Sequence, residues 1–230
     1  MALAVEWLGR IDYRAAWTRQ HALAAARAAG EAPDTLLLLE HPAVLTLGRQ
    51  SDPGHVRATP QALAARTIEL IRTERGGEVT YHGPGQLVAY PIVRLADRGI
   101  LLRSFVRALE AAMSETCASY GVTADRIEGR PGCWVDPMGP APRKIGALGV
   151  RVERGVTYHG IALNVTTRLA DFELIDPCGM PGVEVTSIAR EARWPVGSPT
   201  TASVQEAAGR FAAALERAMA AVSGRVPVPA

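Results

Sequence analysis

The sequence predicts an α+β fold built on a mixed, mostly antiparallel sheet with flanking helices. Three observations carry that prediction. Short apolar runs recur at residues 35–42, 44–48, 85–93 and 132–136, and a longer one over 145–166 has room for a hairpin. Two long segments, 100–120 and 203–222, space their apolar residues three and four apart, the period of a helix with one buried face. Strands and helices also fail to alternate in the strict rhythm that parallel βαβ units require.

Each element follows from local chemistry. Residues 3–8 make an opening strand, and Asp12 caps a helix over residues 13–29 that stops at Gly30. TLLLLEHP (35–42) is a buried strand, and VLTLG (44–48) follows the turn at Pro42. The loop SDPGHVRATP leads to a short helix at 60–65 and a strand near 67–73. After the Gly-rich stretch 75–86 comes the strand GQLVAYPIV (85–93). In the helix 100–120, Leu102, Phe105, Val106, Leu109, Met113, Cys117 and Tyr120 form the packing stripe. Arg154-Gly155 turns the hairpin within 145–166, and the helix 203–222 closes the fold.

Composition narrows the function classes. The length of 230 residues suits one domain over 1–230, with the Pro-rich tail at about 224–230 poorly ordered. Hydrophobic residues at 48% and charged residues at 21% describe an ordinary globular chain, and a net charge of +2 argues against a nucleic-acid partner. The 3 cysteines form no CxxC pair and no Cys/His metal spacing, which favours a reducing, cytoplasmic setting without a metal. Glu6, Arg10 and Asp12 interrupt any leader-like apolar run, and no apolar string is long enough for a membrane span.

Of the 25 basic residues, 24 are Arg and one, Lys144, is Lys. A guanidinium stays charged, whereas an amine can exchange its proton, so a lone surviving lysine is a candidate for proton chemistry. Its setting, RKIGALGVRV (143–152), is small and apolar rather than a solvated charged face. Cys178 lies between Pro177 and Gly179, on a tight turn that presents the thiol and is expected to leave backbone N–H groups free for an oxyanion. A small buried loop residue is the alternative for Cys178. Cys117 and Cys133 read as packing residues.

The pentapeptide VTYHG occurs at 79–83 and again at 156–160. Two strands are expected to turn matching Thr, Tyr, His and Gly toward one cavity. His82 and His159 gain interest from this repetition, although a satisfied core histidine is the commoner outcome. The glycines of RGGEVTYHGPGQ (75–86) let a ligand approach the backbone, but no GxxxxGK[ST] phosphate loop is present.

Together, RGGEVTYHGPGQ, RKIGALGVRV, YHGIALNV, PCG and VTSI resemble, in order and spacing, the octanoyltransferases of lipoate biosynthesis, over some two-thirds of the chain. The resemblance implies a fold related to biotin and lipoate protein ligases. It implies transfer of an octanoyl group from octanoyl-acyl carrier protein to a lysine of lipoyl domains. Those acceptors belong to 2-oxoacid dehydrogenase complexes and the glycine cleavage H protein, and no cofactor is implied. By position, Cys178 corresponds to the acyl-thioester nucleophile and Lys144 to the residue that favours its thiolate. Arg75, Gly76, Gly77, Glu78, Val79, Thr80, Tyr81 and His82 correspond to an acyl-substrate wall. Ala147, Leu148 and Gly149, with Gly160, Ile161 and Ala162, correspond to the rest of it. An ATP-dependent lipoate or biotin ligase and a non-catalytic lipoyl-domain-binding module are the competing classes. The ligase would activate the acid as an adenylate and leave the PCG thiol idle.

Overall fold

Four consecutive leucines decide the centre of the molecule. A strand sends alternate side chains to opposite faces, so Leu36–Leu39 can be buried together only in a strand covered on both sides. In the computed structural model, which describes residues 2–194 and 204–224, Leu36 and Leu38 enter one core while Leu37 and Leu39 enter another.

The chain begins with β1 (Ala4–Arg10), α1 (Tyr13–Ala29), β2 (Thr35–Glu40) and β3 (Val44–Leu47). It continues through α2 (Pro60–Ala65), β4 (Glu69–Arg72), β5 (Thr80–His82) and β6 (Gln86–Ile92). Then come α3 (Leu102–Ala118), β7 (Ala124–Ile127), β8 (Arg130–Val135), β9 (Arg143–Glu153) and β10 (Val156–Asn164). A short α4 (Ile188–Glu191) precedes α5 (Val204–Val222). The expected caps are present at α1, where the Asp12 carboxylate accepts from Arg14 and Ala15 N–H and Gly30 ends the helix at φ 81°. The tail expected to be poorly ordered lies outside the described residues, apart from Gly224.

The main sheet runs β1-β2-β6-β10-β9-β8-β7. β1 and β2 pair in parallel and the other five pairs are antiparallel. α3 and α5 cover one face, where Phe105, Leu109 and Phe211 meet Leu87, Ile161 and Leu163. α1 covers the other, with Ala16 against Val88, Tyr90 and Ala162. A smaller sheet, β4-β3-β5, has its own core around Leu45, Tyr81 and Phe172.

Three departures from the sequence reading bear on the site. β7 escapes a periodicity search because an edge strand reading Ala-Asp-Arg-Ile has little to bury. Leu102 leaves the packing stripe of α3: it is 47% exposed at the first turn of the helix. Finally, β8 pairs with β9 only over Arg143–Gly146, with a register shift between Cys133 and Trp134. Beyond that point β9 keeps β10 as its partner, and a cavity opens between the start of β8 and residues 147–150.

Candidate active site

Cys178 and Lys144 are 34 positions apart in sequence, and the fold joins them through one returning segment. After the Pro177–Gly179 turn the chain runs back along β9: Lys144 N–H donates to Glu184 O at 2.8 Å, and Thr186 N–H donates to Lys144 O at 2.9 Å. The segment that carries the thiol thus also clamps the lysine backbone. Lys144 Nζ lies 3.1 Å from Cys178 Sγ and donates to Pro131 O at 2.9 Å. The Trp134 ring, 4.9 Å away, adds a cation–π contact. Lys144 is 5% exposed, whereas Cys178 is partly open to solvent.

Cys178 adopts φ 57° and ψ 28°, the left-handed region that a β-carbon disfavours by roughly 1–2 kcal/mol. Such strain persists only where the surroundings hold it, and it is common at functional turns. Here Cys178 N–H donates to Val79 O at 3.1 Å and Gly179 N–H to Asp176 O at 3.0 Å. Met180 N–H donates to Pro177 O at 3.1 Å. The turn therefore holds its shape by using up its N–H groups. The expectation that they stand free for an oxyanion is corrected.

A cavity of about 460 Å³ opens at this pair, within the size range of small-molecule sites. Arg75, Gly76, Gly77, Glu78, Thr80 and His82 line one part of it. Ala147, Leu148 and Gly149 on β9, with Gly160, Ile161 and Ala162 on β10, line it as well, and β9 closes on the first stretch. Gly149 permits this approach, since a β-carbon there would sit 2.5 Å from Gly76 O. Val79 and Tyr81 are exceptions. Both are buried in the small-sheet core, and Tyr81 Oη donates to Asp171 Oδ2 at 3.0 Å. Alternation along β5 explains it, because a strand that turns Thr80 and His82 inward must turn their neighbours away. Tyr158 is likewise packed in a core rather than in the cavity wall, although its ring lies 5.1 Å from that of His159. The shared cavity thus receives the two histidines, Thr80 and Gly160, but neither tyrosine.

Several lining residues carried no sequence signal. Tyr13 from α1 and Tyr90 from β6 line the cavity, and Leu102, Val106 and Met180 supply apolar wall. Exposure of Leu102 shows itself only once α3 is placed. Around the cavity, polar groups are deeply buried. The Arg75 guanidinium, 7% exposed, donates to Thr46 O at 2.6 Å and to Thr46 Oγ1 at 2.9 Å. Burial pushes the Tyr13 hydroxyl up to about 12 and holds His82 well below the ordinary imidazole value. His159 is lowered by burial as well, partly offset by Glu74 at 3.3 Å. Both histidines are neutral near pH 7, and His82 Nδ1–H donates to Gln86 Oε1 at 2.8 Å.

Known proteins resemble this chain in sequence and in fold. The family model for the lipoyl protein ligase A/B catalytic domain matches residues 12–216. An octanoyltransferase of Chloroflexus aggregans is 51% identical over 190 residues, covering 82% of this chain and 85% of the relative. One of Mycobacterium marinum is 45% identical over 228 residues, covering 97% and 90%. Among solved structures, a bipartite lipoate protein ligase from Thermoplasma acidophilum superposes with a TM-score of 0.68 at 14% identity, over 95% of this chain and 84% of that one. A biotin protein ligase from Aquifex aeolicus gives a TM-score of 0.58 at 12% identity, over 96% and 72%. These two establish likeness of fold. With the family model spanning most of the chain and relatives near half identity, the chain belongs to the lipoyl protein ligase A/B catalytic-domain family, among its octanoyltransferases.

Proposed function

We propose that this enzyme takes an octanoyl group from octanoyl-acyl carrier protein onto Cys178 and passes it to the lysine ε-amine of lipoyl domains. The acceptors are those of 2-oxoacid dehydrogenase complexes and the glycine cleavage H protein, and the reaction takes place in the cytoplasm with the chain acting as one catalytic unit. One observation carries the reading: the only lysine of the chain stands 3.1 Å from the thiol at the mouth of a partly apolar cavity.

The chemistry balances without an activating nucleotide. The Cys178 thiolate attacks the donor thioester, forming one C–S bond as the other breaks, and the departing thiolate takes a proton from the Lys144 ammonium. Thioester replaces thioester, so the step is nearly isoenergetic. The acceptor ammonium then loses one proton to water. Its amine attacks the acyl carbonyl and gives the other proton to Lys144 as the C–N bond forms, and Sγ leaves as thiolate. The ammonium–thiolate pair is restored. Ala147, Leu148, Ile161 and Ala162 give the cavity an apolar lining for a chain worth about 0.8 kcal/mol per buried methylene.

Intact-mass measurement after mixing with octanoyl-acyl carrier protein tests the reading. Wild type, Cys117→Ala and Cys133→Ala are expected to gain one octanoyl unit, and Cys178→Ala none. Acylation that survives in Cys178→Ala rejects the thioester route. Lys144→Arg, which keeps charge but cannot release a proton, should load slowly and discharge to a lipoyl domain at least about 100-fold more slowly than wild type. Normal discharge in that variant would reduce Lys144 to a fixed charge.

A further inference from the structure

The thiol chemistry leaves one wall residue without a task. Arg75 and Arg130 bring two fixed cations to the cavity beside Lys144, and Glu78 is the one carboxylate lining it among the described residues. Its side chain is 22% exposed. Oε2 is held twice, by Asp52 N–H at 3.2 Å and by His55 Nδ1 at 3.2 Å. Oε1 has no hydrogen-bond partner among the described residues. The carboxylate also lies against the nucleophile's turn, since a β-carbon on Gly179 would sit 3.1 Å from Glu78 Cγ and 3.3 Å from its Cδ. The next residue, Val79, receives the Cys178 N–H.

This placement matters for the second substrate. An acceptor lysine has an ordinary pKa of about 10.4 and arrives as an ammonium. It must enter a cavity that the fixed cations Arg75 and Arg130 line, Lys144 having given up its proton during loading, and like charges repel strongly where water is partly excluded. A carboxylate at the same mouth offsets that repulsion and gives the ammonium a hydrogen-bond acceptor. A held oxygen on one side and an open one on the other is what a pre-positioned cation receptor requires.

We propose that Glu78 is the binding subsite for the primary ammonium of the acceptor lysine. Oε1 accepts an N–H from the incoming ε-ammonium, while His55 and the Asp52 N–H fix the carboxylate through Oε2. Bound there, the acceptor is close to Cys178 before it sheds its first proton to water; the second proton passes to Lys144 as the amide forms. Glu78 thus binds and orients, and takes no part in loading the thiol. The inference rests on the octanoyl-transfer reading, and it assigns to the acceptor a residue that the sequence resemblance grouped with the acyl wall.

The test separates the two half-reactions. Octanoyl-Cys178 enzyme is formed with octanoyl-acyl carrier protein and then discharged in single turnovers either to a lipoyl domain or to hydroxylamine, a neutral nucleophile. Glu78→Gln is expected to slow discharge to the lipoyl domain at pH 7 at least 30-fold more than it slows loading or hydroxylamine discharge. Glu78→Asp, which keeps the charge, should recover part of the rate. Equal slowing of all three steps would make Glu78 a structural residue and overturn the proposal, as would an undiminished lipoyl-domain rate. Wild-type enzyme that never acquires an octanoyl unit would instead reject the octanoyl-transfer reading itself.

Discussion

The pentapeptide VTYHG is built twice, and its two copies end in different surroundings. In the first, His82 sits in short β5, bonded to Gln86, with Thr46 Oγ1 3.4 Å from Nε2. In the second, His159 lies within long β10 yet takes φ 54°, and its Nε2 faces Glu74 while Nδ1 has no partner among the described residues. Thr80 lines the cavity, whereas Thr157 Oγ1 donates to Pro91 O at 2.6 Å and accepts from Val93 N–H at 3.0 Å. Identical side chains thus acquire different partners, because hydrogen bonding is settled by whatever strand lies alongside. What the copies share is the outcome, a histidine that lines the cavity and a tyrosine that does not, reached by alternation in β5 and, in β10, across the positive φ of His159, whose ring lies 5.1 Å from that of Tyr158.

The glycines give the largest contrast. A β-carbon on Gly160 would meet Ala89 O at 2.1 Å, a backbone atom of the paired strand β6. On Gly83 it would meet Tyr81 Oη, also at 2.1 Å, but that is the end of a side chain. Gly160→Ala should therefore cost at least about 3 kcal/mol, since β6 and β10 must separate. Gly83→Ala should cost about 1–3 kcal/mol, the loss of the buried Tyr81–Asp171 bond. Urea unfolding midpoints measure both, and equal losses would mean that the Tyr81 ring cannot yield.

Titration gives a smaller contrast. Both histidines have folded-state pKa values below the unfolded one, through burial above all. The unfolded chain then binds more protons, so stability falls as pH drops below about 6.5, by up to about 1.4 kcal/mol per pH unit for each such histidine, until the folded value is reached. Buried His41, lowered to about 4, acts in the same direction. Because Glu74 partly restores His159, His82→Gln should flatten the decline between pH 6.5 and 5 more than His159→Gln does. Unfolding free energies at stepped pH decide the order, and a steeper wild-type-like slope in both variants would mean that the histidines are charged in the folded state.

The third contrast concerns backbone strain. Asn tolerates the left-handed region better than His, so His159→Asn should recover up to about 1 kcal/mol of strain and offset the lost contact with Glu74. His82→Asn has no strain to relieve and should cost about 1–3 kcal/mol by leaving Gln86 poorly paired. Thermal midpoints of the two variants should diverge accordingly.

Much of this was legible in the chain. Residues 13–29 and 60–65 declare their helices through Asp12, Gly30 and Pro60, and apolar period placed β2, β3 and β6 to within a residue or two. These signals are local: a cap or a two-residue alternation acts within one turn or one strand. A lone lysine in an apolar setting and a cysteine between Pro and Gly marked the two side chains that the fold brings within 3.1 Å, again through residue chemistry in a short window. Placing Val79 and Tyr81 in the cavity wall failed because a motif was read as a unit, while a strand divides it between two faces.

Tertiary structure decided the rest. The 3.1 Å contact between Lys144 and Cys178 depends on residues 184–186 returning beside β9, a pairing that no local pattern encodes. The same holds for the parting of β8 from β9 that opens the cavity, and for the exposure of Leu102 at its rim. The free oxygen of Glu78 exists because His55 and Asp52, from a loop more than 20 residues earlier, occupy the other one. Sequence by itself determined which side chains could do chemistry and the local form of the backbone that bears them. Their distances, burial and charges came from long-range packing, where the free energy of each contact depends on atoms brought from elsewhere in the chain.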